Sequence, residues 1–256
     1  MVQKGNVGRR LATAALAAVF VVSGSLLATY LWEGRASQTL VNELRQAYRA
    51  EPGGTAGPGA ASAAAPGDAA APASPSADPL AGLRAVCPDA VGWLTVPGTA
   101  IDVPVVQGSD NVHYLTHDAA GQRSGHGAIF LDSRNDPDDR QLALYGHHMR
   151  DGSQFAPLAS YRDAAFRDAH PTVTWTTAEG TTEWTVFAVT LHEAGSGDLP
   201  LDFGTDGAFA KYVDGVRAAA LYKSGVDPTG AAQILTLVTC AYDTEDARLL
   251  VFALRR

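Results

Sequence analysis

Hydrophobic and polar positions divide this chain into three regimes. From Leu11 to Trp32 the run "LATAALAAVFVVSGSLLATYLW" carries no charge. At about 1.5 Å per helical residue it is long enough to cross a hydrocarbon layer of roughly 30 Å. Beyond it, Leu40, Leu44, Ala47 and Tyr48 in "SQTLVNELRQAYRA" recur at helical spacing, which predicts a juxtamembrane helix or stalk over 33–50. Residues 51–79 are almost wholly Ala, Pro, Gly and Ser. Such a segment buries too little apolar surface to offset its ordering entropy, so a disordered linker is expected there.

From Leu80 onward the pattern changes to short runs rich in β-branched and aromatic residues. They are "VGWLTV", "DVPVVQ", "GAIFLD", "QLALYG", "TVTWTT", "TEWTVFAVTL", "QILTLVTC" and "RLLVFALR". Pro-Gly, Asp-Gly, Glu-Gly and Pro-Thr-Gly turns separate them. Eight short strands predict a mainly β fold, a single eight-stranded barrel over 80–256. Two segments read as helical: a short broken pair in "GSQFAPLASYRDAAFRDAH", and one longer helix in Asp206–Tyr222, inserted before the last long strands.

Charge sharpens the first regime. Lys4, Arg9 and Arg10 precede the apolar run, while Glu33 and Arg35 roughly cancel after it. The positive-inside bias makes 1–10 cytoplasmic, 11–32 a single-pass anchor and the rest extracellular. A cleaved signal peptide is the rival, although Trp32-Glu33 is no small-residue cleavage site. Residues 51–256 hold 13 basic and 25 acidic side chains. An acidic body without a basic stripe argues against a nucleic-acid partner.

The chain has two cysteines, Cys87 and Cys240. Outside the cytoplasm a bridge between them is one reading; Cys240 as a packed small residue, a metal ligand or a nucleophile are others. Cys240 closes "ILTLVTC" and Arg248 opens "RLLVFALR". If those strands pair antiparallel, the two residues meet at one rim, where a guanidinium favours a thiolate or steadies an oxyanion. A base is also needed, and His147-His148 follow an apolar strand and Gly146, ahead of an Asp-Gly turn. His113 and His117 have the spacing of helical metal ligands, yet "NVHYLTHD" lacks a hydrolase glutamate, so a structural role is expected. The acidic cluster Asp132, Asp136, Asp138 and Asp139 reads as a solvated loop. Neither a phosphate loop nor a Gly-x-Ser-x-Gly elbow occurs, and nothing in the sequence asks for a cofactor or a metal.

Thr236-Leu237-Val238-Thr239-Cys240, Arg248, and "LYGHHMRDGSQFAPLASY" upstream resemble the sortases, specifically class B. That family carries a TLxTC signature ending in the nucleophile, an arginine opening the next strand, and an upstream histidine after a Tyr-Gly pair, here His147. "VGWLTVPGTAIDVPVVQGSDNVHYLTHD", "GAIFLDSRN" and "FAKYVDGVRAAALYKSGVD" extend the resemblance over nearly all of 85–256. It implies a membrane-anchored cysteine transpeptidase of the Gram-positive cell surface, on a sortase-type barrel. Cys240 would attack a peptide carbonyl in the sorting signal of a secreted protein. His147 would serve as acid and base, and Arg248 would steady the oxyanion. An amine acceptor, such as a peptidoglycan precursor or another protein, would then resolve the thioester.

Thr239, Leu115 and Tyr222 are the expected substrate-binding residues. Class B signals are often of the Asn-Pro-x-Thr type, and the discriminating residues are expected between Glu193 and Gly230 and along Leu115–Arg123. Cys87 departs from the family pattern. The chain ends at Arg256 with no apolar tail, so it is not expected to be a sortase substrate itself. The rival functions are a catalytically silent peptide-binding module and a thiol peptidase that releases its product to water.

Overall fold

The structure is a computed structural model that describes residues 4–50, 78–193, 199–241 and 247–255. The expected linker lies outside the described residues, apart from Asp78 and Pro79.

Eight strands form a closed barrel: β1 Ala90–Thr95, β2 Asp102–Val106, β3 Ile129–Leu131, β4 Gln141–Gly146, β5 Thr172–Thr177, β6 Gly180–Glu193, β7 Gln233–Ala241 and β8 Ala247–Arg255. Around the barrel they run β1-β2-β3-β4-β7-β8-β6-β5. All eight apolar runs named from the sequence are strands. Their pairing follows from tertiary structure, because β2/β3 and β4/β7 are parallel and β4/β7 joins segments far apart in the chain. Alternation sorts β7 and β8 into two faces. Leu235, Leu237, Leu249, Val251 and Ala253 fill the barrel interior. Ile234, Val238, Leu250, Phe252 and Leu254 join an outer cluster.

Among the described residues four α-helices surround the barrel: α1 Lys4–Arg49, α2 Ala81–Val86, α3 Ala164–Ala169 and α4 Asp206–Ala218. The predicted broken pair is a 3-10 helix at Ala156–Arg162 followed by α3. α4 is the long insert before β7. Thr205 caps it by accepting a hydrogen bond from the Ala208 amide, and its Phe209, Val213 and Val216 cover the outer cluster.

α1 is the one helix long and apolar enough to cross a membrane among the described residues. It does not stop where the apolar run stops. Further along, Leu44 and Tyr48 are fully buried against the barrel wall, four residues apart on one helical face. The Tyr48 ring stacks on Trp93 at 4.6 Å, and its hydroxyl reaches Thr176 Oγ1 at 3.1 Å. Asp102 ties down the helix end, accepting from Trp93 Nε1 at 2.6 Å and pairing with Arg45 and Arg49 at 2.6 and 3.0 Å. Cations in a last helical turn also suit the helix dipole.

Candidate active site

Two ladders bring distant residues into one row. The antiparallel pairing of β7 and β8 sets Cys240 opposite Arg248. The parallel pairing of β4 and β7 sets Gly146 opposite Thr239. His147, the next residue, therefore leaves β4 abreast of position 240. Cys240 is placed here by its backbone; its side chain lies outside the described part of the structure. Arg248 is solvent-exposed, and its charge reaches the Tyr145 hydroxyl on β4, across β7.

Gly146 is required by space, not by backbone angle. A Cβ there would fall 2.3 Å from Ile129 Cδ1 and 2.9 Å from Phe155 Cδ2. The half-buried His147 is held from two sides. Its Nε2 lies 2.7 Å from the Leu115 carbonyl, which fixes the proton on that nitrogen because a carbonyl only accepts. Its own carbonyl accepts from the Phe155 amide at 2.9 Å. Gly127 lets the His113–Leu115 turn come this close. It has φ +59, and a Cβ would meet the Tyr114 carbonyl at 2.6 Å and His147 Cδ2 at 3.1 Å. Gln154, at φ 54, donates to the Gly127 carbonyl and closes the loop after His147. The His148 backbone pairs with Gln154 in an isolated antiparallel bridge, and burial followed by the charge of Arg162 lowers its pKa.

The wall beside this row is polar and fully engaged. Asp132 is buried, which corrects the expectation of a solvated loop for this one of the four acids; Asp136 and Asp138 are exposed and Asp139 is half-buried. Burial opposes its charge, but hydrogen bonds from Arg134 and Asn111 outweigh that cost and hold its pKa at about 2. Tyr145 donates to Asp132 Oδ2 at 3.2 Å and stacks on Phe130. Sequence reasoning gave no role to two neighbours of the row. Asp132–Tyr145 is one; the other is His192 on β6, half-buried, directly opposite Arg248, with its pKa lowered by burial. Only the order β7-β8-β6 around the barrel exposes that proximity.

The expected substrate-binding residues fall in different places. Leu115 forms the turn that grips His147. Thr239 is buried, on the interior face of β7 beside Gly146. The Tyr222 hydroxyl donates to the Tyr161 carbonyl at 2.6 Å, tying its segment to the 3-10 helix Ala156–Arg162. His113 and His117 stack on each other at 4.1 Å, and His117 Nδ1 bonds the His113 carbonyl. Cys87 is a free buried thiol, so the bridge to Cys240 is absent. It donates to the Ala119 carbonyl at 2.7 Å.

Comparison with known proteins agrees with this fold. Residues 94–256 match the model of the sortase domain. Sortase B of Listeria monocytogenes is 32% identical over 244 residues, covering 94% of this chain and 92% of that protein. Sortase B of Staphylococcus aureus is 30% identical over 175 residues, covering 67% and 72%. Among solved structures, sortase B of Bacillus anthracis in complex with AAEK1 superposes with a TM-score of 0.73 at 27% identity, covering 88% of this chain and 98% of that one.

Proposed function

The chain belongs to the sortase family and within it to class B, and we propose that Cys240, His147 and Arg248 are the residues that do its chemistry. Sortases are cysteine transpeptidases that act on secreted proteins bearing sorting signals. The observation that carries the assignment is the row across β4, β7 and β8: Cys240 opposite Arg248, with His147 one residue beyond the Gly146–Thr239 pair.

In the proposed reaction the Cys240 thiol gives its proton to His147 Nδ1, and the resulting thiolate attacks the scissile carbonyl carbon, whose π pair moves onto oxygen. The Arg248 guanidinium donates hydrogen bonds to that oxyanion. When the carbonyl re-forms, the C–N bond breaks, and the leaving amine takes a proton from His147. With Nε2–H held by Leu115, Nδ1 is the nitrogen that exchanges this proton. An incoming amine then attacks the thioester carbonyl, His147 accepts its proton, and the thiolate departs. Leu115 shapes the wall beside this histidine, whereas Thr239 packs on the interior face of β7 beside Gly146. The sorting signal is of the Asn-Pro-x-Thr type, and the acceptor is an amine such as a peptidoglycan precursor.

Residues 11–32 anchor the enzyme, with Lys4, Arg9 and Arg10 on the cytoplasmic side and residues 80–256 as the extracellular catalytic domain. The test is intact-mass spectrometry of the full chain incubated with an Asn-Pro-x-Thr peptide library and an amine acceptor. An acyl adduct and an amine-capped product, both absent with Cys240→Ala, are expected. Product released only to water would make the protein a peptidase instead. No adduct on any peptide would favour the silent module.

A further inference from the structure

α1 is one uninterrupted helix from its apolar span into the segment docked on the barrel. The 18-residue apolar window is wholly unburied, and Trp32, where the span ends, is 71% exposed. Contacts with the catalytic unit begin at that level. The Tyr30 ring stacks on His126 at 6.0 Å. A Cβ on Gly34 would lie 3.3 Å from Asp151 Oδ2 and 3.5 Å from His126 Nε2, and one on Gly125 would lie 3.1 Å from Glu33 Oε2. His126 and Asp151 are themselves paired at 3.0 Å. Farther along, Arg45, Tyr48 and Arg49 fasten the same helix to Asp102 and Thr176. Two attachments along one rigid rod fix the tilt of the barrel against it.

The end of the barrel next to the span is the catalytic end. Gly127, which packs on His147, follows His126 in the chain and shares a small cavity with Ser37, Leu40 and Val41 of α1. Ser37 is five residues past Trp32, about 8 Å along a helix axis. The headgroup zone is roughly 5–8 Å deep on each side of a bilayer. Loops 121–126 and 148–152 lie level with Tyr30–Gly34 and expose Arg123 and Arg150, with Arg35 exposed on α1 beside them. The acids nearby are Glu33, Asp118 and Asp151. Asp118 accepts from the Ala120 and Gln122 amides, and Asp151 from Ser153 and His126, so these two carboxylates, still charged, are held back against the protein.

We propose that the surface formed by loops 121–126 and 148–152, around Arg123 and Arg150, rests on anionic phospholipid headgroups and holds the catalytic row at the bilayer surface. This rests on residues 11–32 being the anchor. It confines the enzyme to scissile bonds presented close to the membrane plane, because a barrel clamped to α1 at both ends does not reach outward.

The test uses the full chain in nanodiscs of phosphatidylcholine, with or without phosphatidylglycerol. The photo-crosslinker p-benzoyl-phenylalanine is placed at Arg123, Arg150, Phe20 or Glu179. Phe20 lies within the span, and Glu179 is exposed in the β5–β6 turn at the far end of the barrel. Mass spectrometry is expected to show lipid adducts at 20, 123 and 150 and none at 179. At 123, Arg150 remains to attract anionic lipid, so yields there should rise about fivefold with phosphatidylglycerol. Adducts at 20 without adducts at 123 and 150 would overturn the proposal while leaving the anchor standing. No adduct at 20 would overturn both. Equal yields in the two lipids would remove the anionic preference. Crosslinking requires no turnover, so the outcome is independent of the transpeptidase assignment.

Discussion

The two cysteines occupy opposite kinds of environment. Cys87 sits in a packed cluster with Leu80, Leu83, Trp93 and Tyr114. Burial first, then the charges of Asp89 and Asp118, push its thiol up to about 12. Cys240 stands at the end of a strand, in register with an arginine and abreast of a histidine. One position suppresses the thiolate; the other, on the proposed assignment, stabilises it. Residue type alone says nothing about reactivity; the surrounding charge and burial decide it.

The sharpest way to break this contrast is to delete each sulfur in turn. Cys240→Ala is expected to lower kcat/KM by at least ~10^3-fold, while Cys87→Ala leaves it within about twofold. A Cys87→Ala enzyme as dead as Cys240→Ala would reverse the assignment. Alkylation separates the sulfurs without mutation. A thiol at about 12 is roughly 10^-5 ionised near neutral pH. One iodoacetamide adduct per native chain, mapped to Cys240 by peptide mass, is therefore expected; comparable labelling of Cys87 would contradict its burial.

Arg248→Lys keeps the charge but loses the planar fork, and a drop of ~10^2-fold in kcat with little change in KM is expected. Wild-type turnover in that variant would take the oxyanion role from Arg248. A weaker effect concerns the wall of the row. The pKa of Asp132 lies below its usual 3.8, at about 2. Its contribution is thus fully present above about pH 4 and lost as pH falls through 2. That contribution is about 2 kcal/mol. Acid unfolding of Asp132→Asn should be correspondingly flatter across this window, and an unchanged acid limb would show the ion pair adds nothing. The smallest effect belongs to the quiet cysteine: Cys87→Ala should cost about 1–2 kcal/mol in thermal or denaturant unfolding, from lost packing around a fully buried side chain.

Much of this molecule is legible in one dimension. The eight strands, α4 and the apolar span follow from periodicity, because apolar side chains must face a core or a bilayer wherever they fall. Cys240 and Arg248 meet across a single antiparallel ladder, which strand order alone anticipates. The rest needed three dimensions. His147 comes beside Cys240 only because β4 and β7 pair in parallel across nearly a hundred residues of chain. His192 and Asp132 enter the neighbourhood by the order of strands around the barrel. Gly127 is explained by the turn it lets approach His147. The free state of Cys87 follows from its place in the cluster beneath α1 and α2. α1 continues from the span onto the barrel because Tyr48, Arg45 and Arg49 find Trp93 and Asp102 waiting. Local pattern determines what each segment becomes; which segments touch is decided by packing them into one closed barrel, where long-range contacts are chosen by shape and charge.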